Sequence, residues 1–155
     1  DADFILIATM NPEDTSTEPL SDVFLDRFDL VYVAYPESLD VEREIVDLAG
    51  QKQVKFPEEL LMKTIQFIRD IRRHPHILKK PSVRATLGLY ERAQSNAMVN
   101  NRKQVTIKDI RDVVVSVLSH RIKLKPSVKY LKKPEEFIQE AFQEFAEGQD
   151  SGDVP

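Results

Sequence analysis

Three side chains in this sequence could bind an anion or orient a water at a reactive centre: Arg27, Arg84 and Asn11. Arg27 stands in "FLDRFDL", with acids on both sides and apolar neighbours. Arg84 falls in the first turn of a predicted helix, where a cation opposes the helix dipole. That position indicates an anionic ligand or partner. Asn11 directly follows an apolar run, and its amide could orient a water or a phosphate.

Each of these residues also has a purely structural interpretation. Asn11 and Pro12 could simply form a turn. Arg27 could pair with Asp26 or Asp29 on the surface, where an ion pair contributes little. The residues by themselves leave both alternatives open.

Other candidate sites find less support in the spacing. His74 and His76 flank a proline, and no third ligand lies at a suitable distance along the chain, so we expect no metal site. The basic run from Arg69 to Lys80 could contact phosphates, but no aromatic residues interleave with it. No arrangement typical of a Ser-His-Asp triad or of paired catalytic carboxylates is present.

Two short apolar runs rich in branched residues predict buried strands. They are "FILIAT", beginning at Phe4, and "LVYVAY", from Leu30 to Tyr35. Two strands cannot form a stable sheet alone, so we expect their neighbours to come from elsewhere and the chain to be a fragment of a longer protein.

The chain after Pro36 reads as helices. Ser38 can cap the first and Gly50 can end it, and Thr106 with Asp109 forms a variant capping box for the fourth. Four of the five predicted helices cover about 39–49, 57–74, 82–99 and 135–147. The fourth in chain order follows Thr106 and carries Ile110, Val114 and Val117, and the remaining tail is expected to be disordered.

Composition excludes several classes of protein. The 155 residues carry a net charge of −4 and no cysteine, which rules out disulfides and thiolate chemistry. No apolar run approaches the roughly 20 residues that cross a bilayer. We therefore expect a cytoplasmic protein with no membrane partner and no obligate nucleic-acid partner.

The order of the short motifs carries more information than any one of them. "ATMNP", "LDRF", "RRHP", "PSVRA" and "SHRI" follow one another along the chain. From Phe4 to Leu124 this order resembles the C-terminal part of AAA+ ATPases, most closely the MoxR branch and the ATPase subunit of magnesium chelatase.

The resemblance implies an α/β remnant, two strands of a parallel AAA+ sheet, followed by an all-α lid bundle of about four helices and one extra C-terminal helix. The implied domains are 1–36, the truncated core; 37–124, the lid; and 125–155, the C-terminal helix and tail.

The resemblance also implies roles for the three candidate residues. Asn11 matches sensor 1, which helps to hold the attacking water. Arg27 matches the arginine finger, which reaches ATP bound by a neighbouring subunit. Arg84 matches sensor 2, the lid arginine that contacts the γ-phosphate. The family often has a glycine two residues before the proline of this last motif, and "KPSVRA" lacks it.

The nucleotide-binding half of the family's motifs is not in this sequence. No G-x-x-x-x-G-K-[ST] occurs, and no strand ends in an acidic Walker B pair. The resemblance therefore implies ATP and Mg²⁺ in a complete protein, with an N-terminal AAA+ core, homo-oligomeric ring neighbours and a protein client. It implies no ATP hydrolysis by this chain alone. Two alternatives stay open, a non-catalytic helical adaptor and a small nucleic-acid-binding module using residues 69–80.

Overall fold

A computed structural model describes residues 3–10, 18 and 20–150, with side chains through Glu147. The chain divides into two compact units, Asp1–Val33 and Ala34–Pro155. The predicted three-part division at residues 36 and 124 stays a prediction.

Among its described residues, the first unit contains one short helix, α1 (Asp22–Leu25), capped by the hydroxyl of Ser21. The predicted strands do not form here, because neither residues 3–10 nor residues 30–35 are paired in a β-ladder. Their apolar side chains are exposed, with Ile5 at 90% and Val33 at 94%. A strand needs a hydrogen-bonded neighbour, and none of the described residues supplies one.

The second unit is a helical bundle, and it confirms the coarse fold class of a helical lid bundle with a small strand element. Its long helices are α2 (Leu39–Ala49), α3 (Glu58–Arg73), α4 (Val83–Val99), α5 (Ile107–Leu118) and α7 (Pro134–Asp150). Shorter elements are the strands β1 (Ile77–Lys79) and β2 (Lys123–Leu124), the helix α6 (Pro126–Lys129) and a 3₁₀ turn (Ser119–Arg121). The two strands pair with each other antiparallel, so they differ from the parallel pair predicted near the start of the chain.

Local capping signals explain where the helices begin and end. The Ser38 hydroxyl accepts a hydrogen bond from the Val41 amide at 3.1 Å, as predicted. Thr106 and Asp109 form the predicted capping box at the start of α5. Gly50 ends α2, and a Cβ at this position would lie 2.8 Å from the Tyr90 ring. This glycine is therefore required for close packing of the chain against α4.

The larger apolar cluster lies between α3, α4, α5 and α7, and a second, smaller one joins α2 to α3 and α4. The predicted apolar stripes of α3 and α5 are buried, and small residues of α4 are fully buried where α5 packs against it. These small residues are Ala85, Ala93 and Ala97. The extra helix α7 adds Phe137 and Phe142 to this core. Helix α7 continues to Asp150, so residues 148–150 belong to the helix and not to the predicted tail.

Candidate functional site

Arg84 lies in the first turn of α4, and its side chain is exposed. It makes no hydrogen bond or ion pair with any of the described residues. The first turn contains no acidic residue, and the N-cap Ser82 forms no side-chain cap. An uncompensated cation at a helix start is slightly unfavourable in the folded chain alone, and a phosphate is a ligand that would compensate it.

A buried carboxylate of α2 contacts the first turns of α4 on the inner side, opposite to Arg84. Glu42 of α2 has 0% exposure and accepts two hydrogen bonds from Arg72 of α3. The Nη1–Oε2 distance is 2.5 Å and the Nη2–Oε1 distance is 2.6 Å, the two-pronged geometry that makes arginine–carboxylate pairs strong. The hydroxyl of Thr86, in α4, donates a third hydrogen bond to Oε1. We call Glu42, Arg69, Arg72 and Thr86 the Glu42 cluster.

Arg72 also binds the backbone at the start of α4. Its Nε donates to the carbonyl oxygen of Pro81 at 2.8 Å, and its Nη2 lies 3.2 Å from the Thr86 hydroxyl. The guanidinium carbon lies 5.3 Å from the ring centroid of Tyr35, a cation–π distance. One buried arginine therefore holds residues on both sides of Arg84.

Arg69 joins the same carboxylate to the segment that leads into α2. Its guanidinium donates to the carbonyl oxygens of Pro36 at 3.1 Å, Glu37 at 3.0 Å and Ser38 at 2.9 Å. A longer hydrogen bond of 3.4 Å reaches Oε2 of Glu42. Residues 36–38 and the start of α4 are thus connected through one carboxylate.

The hydrogen bonds decide the protonation state of Glu42. Burial by itself would raise the pKa of this carboxyl, but donation from Arg72 and Thr86 outweighs burial and lowers the pKa below its usual 4.5. Glu42 is therefore ionised at neutral pH. None of the buried side-chain nitrogens and oxygens among the described residues lacks a hydrogen-bond partner, so the buried carboxylate and guanidinium groups are all hydrogen-bonded.

Arg27 lies just after α1, on the surface of the first unit. Its guanidinium donates to the carbonyl oxygen of Val23, one turn earlier. Its neighbours Leu25 and Phe28 are half-buried, and the Phe28 ring lies 4.9 Å from that of Phe24. Neither Asp26 nor Asp29 forms an ion pair with it among the described contacts, so the expected surface pairing is not observed.

Of the three predicted site residues, the structure describes Arg27 and Arg84. Asn11 lies outside the described residues, and Arg27 and Arg84 belong to different units. Within residues 3–10, 18 and 20–150, no group of three or more His, Asp or Glu side chains is placed to hold a metal ion. The rings of His74 and His76 lie 5.1 Å apart, and His74 contacts Phe137 edge to face.

Sequence reasoning missed the Glu42 cluster. In the sequence, Arg69 and Arg72 are cations near the C-terminal end of α3, and Glu42 is an acid near the start of α2. Both placements are explained by the helix dipole alone. All three are buried, and the two arginines cannot contact a nucleic acid in this conformation. One sequence signal was present: the two arginines continue the apolar stripe of α3 at a spacing of three to four residues.

Comparisons with known proteins place this geometry in context. Residues 71–141 match the family described as the AAA lid domain, a segment that contains Arg72, Arg84 and Thr86. The comparisons support an AAA+ ATPase lid in this part of the chain. The match begins within α3 and extends into α7.

One curated protein and one solved structure are similar to this chain. The uncharacterized protein YeaC of Bacillus subtilis strain 168 is 26% identical over 151 residues, covering 82% of this chain and 47% of YeaC. The crystal structure of a candidate ATPase from Cytophaga hutchinsonii superposes with a TM-score of 0.55 at 23% identity, covering 86% of this chain and 51% of that one. The chain thus spans about half the length of each, and the structural likeness concerns the fold.

No helix among the described residues is both long enough and apolar enough to span a bilayer.

Proposed function

We propose that this chain is the distal portion of an ATP-hydrolysing AAA+ protein of the MoxR and magnesium-chelatase type. In this proposal Asn11 is sensor 1, Arg27 is the arginine finger and Arg84 is sensor 2. The complete protein binds ATP and Mg²⁺ through residues of an N-terminal core, forms a homo-oligomeric ring in the cytoplasm, and remodels a protein client or assists its loading with a metal.

One observation carries the proposal: the AAA lid match includes an exposed, unpaired arginine in the first turn of α4. A guanidinium offers several N–H donors in a plane and suits a phosphate group. The exposed apolar segments at residues 4–7 and 30–33 give further support, because they fit strands that pair with a missing part of an AAA+ sheet.

Arg27 is suited to contact a neighbouring subunit. The described side-chain contact of its guanidinium is with the Val23 carbonyl in its own turn, so removal of the side chain is not expected to unfold the protein. A guanidinium contributed across a subunit boundary stabilises charge on the transferred phosphoryl group, and such a contact contributes about 10³ to 10⁵ in rate.

The test is ATP hydrolysis by the protein that joins this chain to its Walker A and Walker B segments, measured as protein concentration rises. We expect activity to rise cooperatively with concentration. Arg27→Ala should remove most of the activity and leave ATP binding largely intact, and Asn11→Ala should also impair hydrolysis. Arg73→Ala removes another exposed arginine and is the matched control.

Wild-type turnover in Arg27→Ala would reject the arginine finger. Activity per subunit that does not depend on concentration would reject a site shared between subunits. If no ATPase activity occurs under any condition, the adaptor becomes the better account.

A further inference from the structure

The first turn of α4 is held from its inner side by two hydrogen bonds to Arg72. One goes to the carbonyl oxygen of Pro81 and the other joins the Thr86 hydroxyl. These two positions enclose Arg84 along the chain. Any rotation or shift of the turn that carries Arg84 would have to break or bend one of these contacts.

Helix geometry couples Thr86 to Arg84. Residues in an α-helix are about 100° apart, so positions separated by two residues point to nearly opposite sides. Thr86 is buried against Glu42, whereas Arg84 is exposed. Fixing the inward direction of Thr86 therefore fixes the outward direction of the Arg84 backbone.

Glu42 gives this arrangement its rigidity. Its two oxygens accept from both prongs of Arg72 and from Thr86, which defines the angle as well as the distance of each contact. Apolar packing in the same space would resist separation but not rotation, because the hydrophobic effect has no direction. Directional bonds are the means by which a protein holds a functional group in one orientation.

We propose that Glu42, Arg72 and Thr86 are positioning residues that set the orientation of Arg84 toward the nucleotide phosphates. Arg69 extends the arrangement to the carbonyls of residues 36–38, so a displacement of that segment is transmitted to the start of α4. This inference rests on the proposed function of Arg84 in phosphate binding.

The test is a double-mutant cycle of Thr86→Val and Arg84→Ala in the full ATPase, with kcat and KM for MgATP measured for all four proteins. Valine keeps the branched shape of threonine and replaces the hydroxyl with a methyl group, so it removes the hydrogen bond to Glu42. We expect Thr86→Val to reduce kcat/KM about ten- to a hundredfold in the presence of Arg84, because a small misplacement of a positioned group is costly. In the Arg84→Ala background it should change kcat/KM little. Thr86→Ser should restore activity.

Thr64→Val is the matched control for stability. Thr64 is also buried, and its hydroxyl donates to the Leu60 carbonyl of its own helix at 2.6 Å, away from Glu42. Thermal unfolding of both valine variants shows how much stability a lost buried hydroxyl removes. Only Thr86→Val should change the kinetics.

The outcomes separate the two proposals. If Arg84→Ala has wild-type kinetics, Arg84 has no phosphate role, and the positioning inference falls with it. If Arg84→Ala is impaired but Thr86→Val is silent or acts equally in both backgrounds, the positioning inference is wrong and the role of Arg84 stands. Equal kinetic loss in Thr64→Val would show that a general loss of stability explains the effect.

Discussion

Substitution of Arg72 by methionine tests how the Glu42 cluster holds the bundle together. Methionine has a similar length and no charge, so the variant keeps volume and removes the hydrogen bonds to Glu42 and to the Pro81 carbonyl. Glu42 would then be a buried carboxylate that keeps Thr86 and only the longer 3.4 Å contact with Arg69. A buried charge that loses its principal partner is one of the most destabilising changes in a protein.

The expected loss is about 3–5 kcal/mol in the free energy of unfolding, the range for breaking a buried pair from one side. Small domains have about 5–15 kcal/mol in total, so the loss is a large part of the stability. If the free energy of unfolding falls by about 2 kcal/mol for each molar of urea, the unfolding midpoint should decrease by about 2 M. Circular dichroism at 222 nm suits this measurement, because the chain is helical and contains no tryptophan.

Arg73→Met is the control. Arg73 is adjacent, exposed and without a described ion pair, so its substitution should change the unfolding free energy by less than about 0.5 kcal/mol. The double variant Glu42→Met with Arg72→Met should regain most of the loss, since Arg69 keeps its carbonyl partners and no carboxylate is stranded. Equal midpoints for Arg72→Met and Arg73→Met would refute the reasoning.

Two further stability predictions follow from other contacts. Gly50→Ala should cost about 1–3 kcal/mol in urea unfolding, because the new Cβ would lie 2.6 Å from the Val46 carbonyl oxygen and 2.8 Å from the Tyr90 ring. An unchanged midpoint would mean that both the ring and the backbone shift at no cost. The second concerns pH. For Glu42 and Asp109, burial raises the pKa but hydrogen bonds outweigh it, so both pKa values lie below the usual 4.5 and 3.8. Their stabilisation is complete above those usual values and is lost as pH falls through the lowered ones, so the urea midpoint should decrease below about pH 4 and a rise on acidification would contradict this.

Local signals in the sequence predict the helices well. The hydroxyl of Ser38 and the pair Thr106 and Asp109 satisfy amides at helix starts within three residues of themselves. Such contacts depend on the chain nearby and on little else, so a pattern of residue types is enough to find them. The apolar stripes of α3 and α5 are equally local, since helical spacing alone determines which side chains share a face.

The sequence pattern could not predict contacts between residues that are far apart along the chain. Glu42 meets Arg72 and Thr86 across separations of 30 and 44 residues, and no periodicity links those positions. The predicted strands failed to pair for a related reason. Apolar runs predict that residues 4–9 and 30–35 require burial, but a strand also requires a partner, and the described residues do not contain one.

The electrostatics at the start of α4 agree with the phosphate-binding role that we propose for Arg84. Every buried side-chain nitrogen and oxygen of the Glu42 cluster has a hydrogen-bond partner, and the half-buried Arg43 is paired with Glu58 through two hydrogen bonds. Arg84 has no such partner among the described residues, although the helix start favours an acid there and opposes a cation. An anion bound from outside the fold would supply the missing charge. In the proposed function, the directional contacts of Glu42, Arg72 and Thr86 would orient Arg84 toward the phosphate before the phosphate binds.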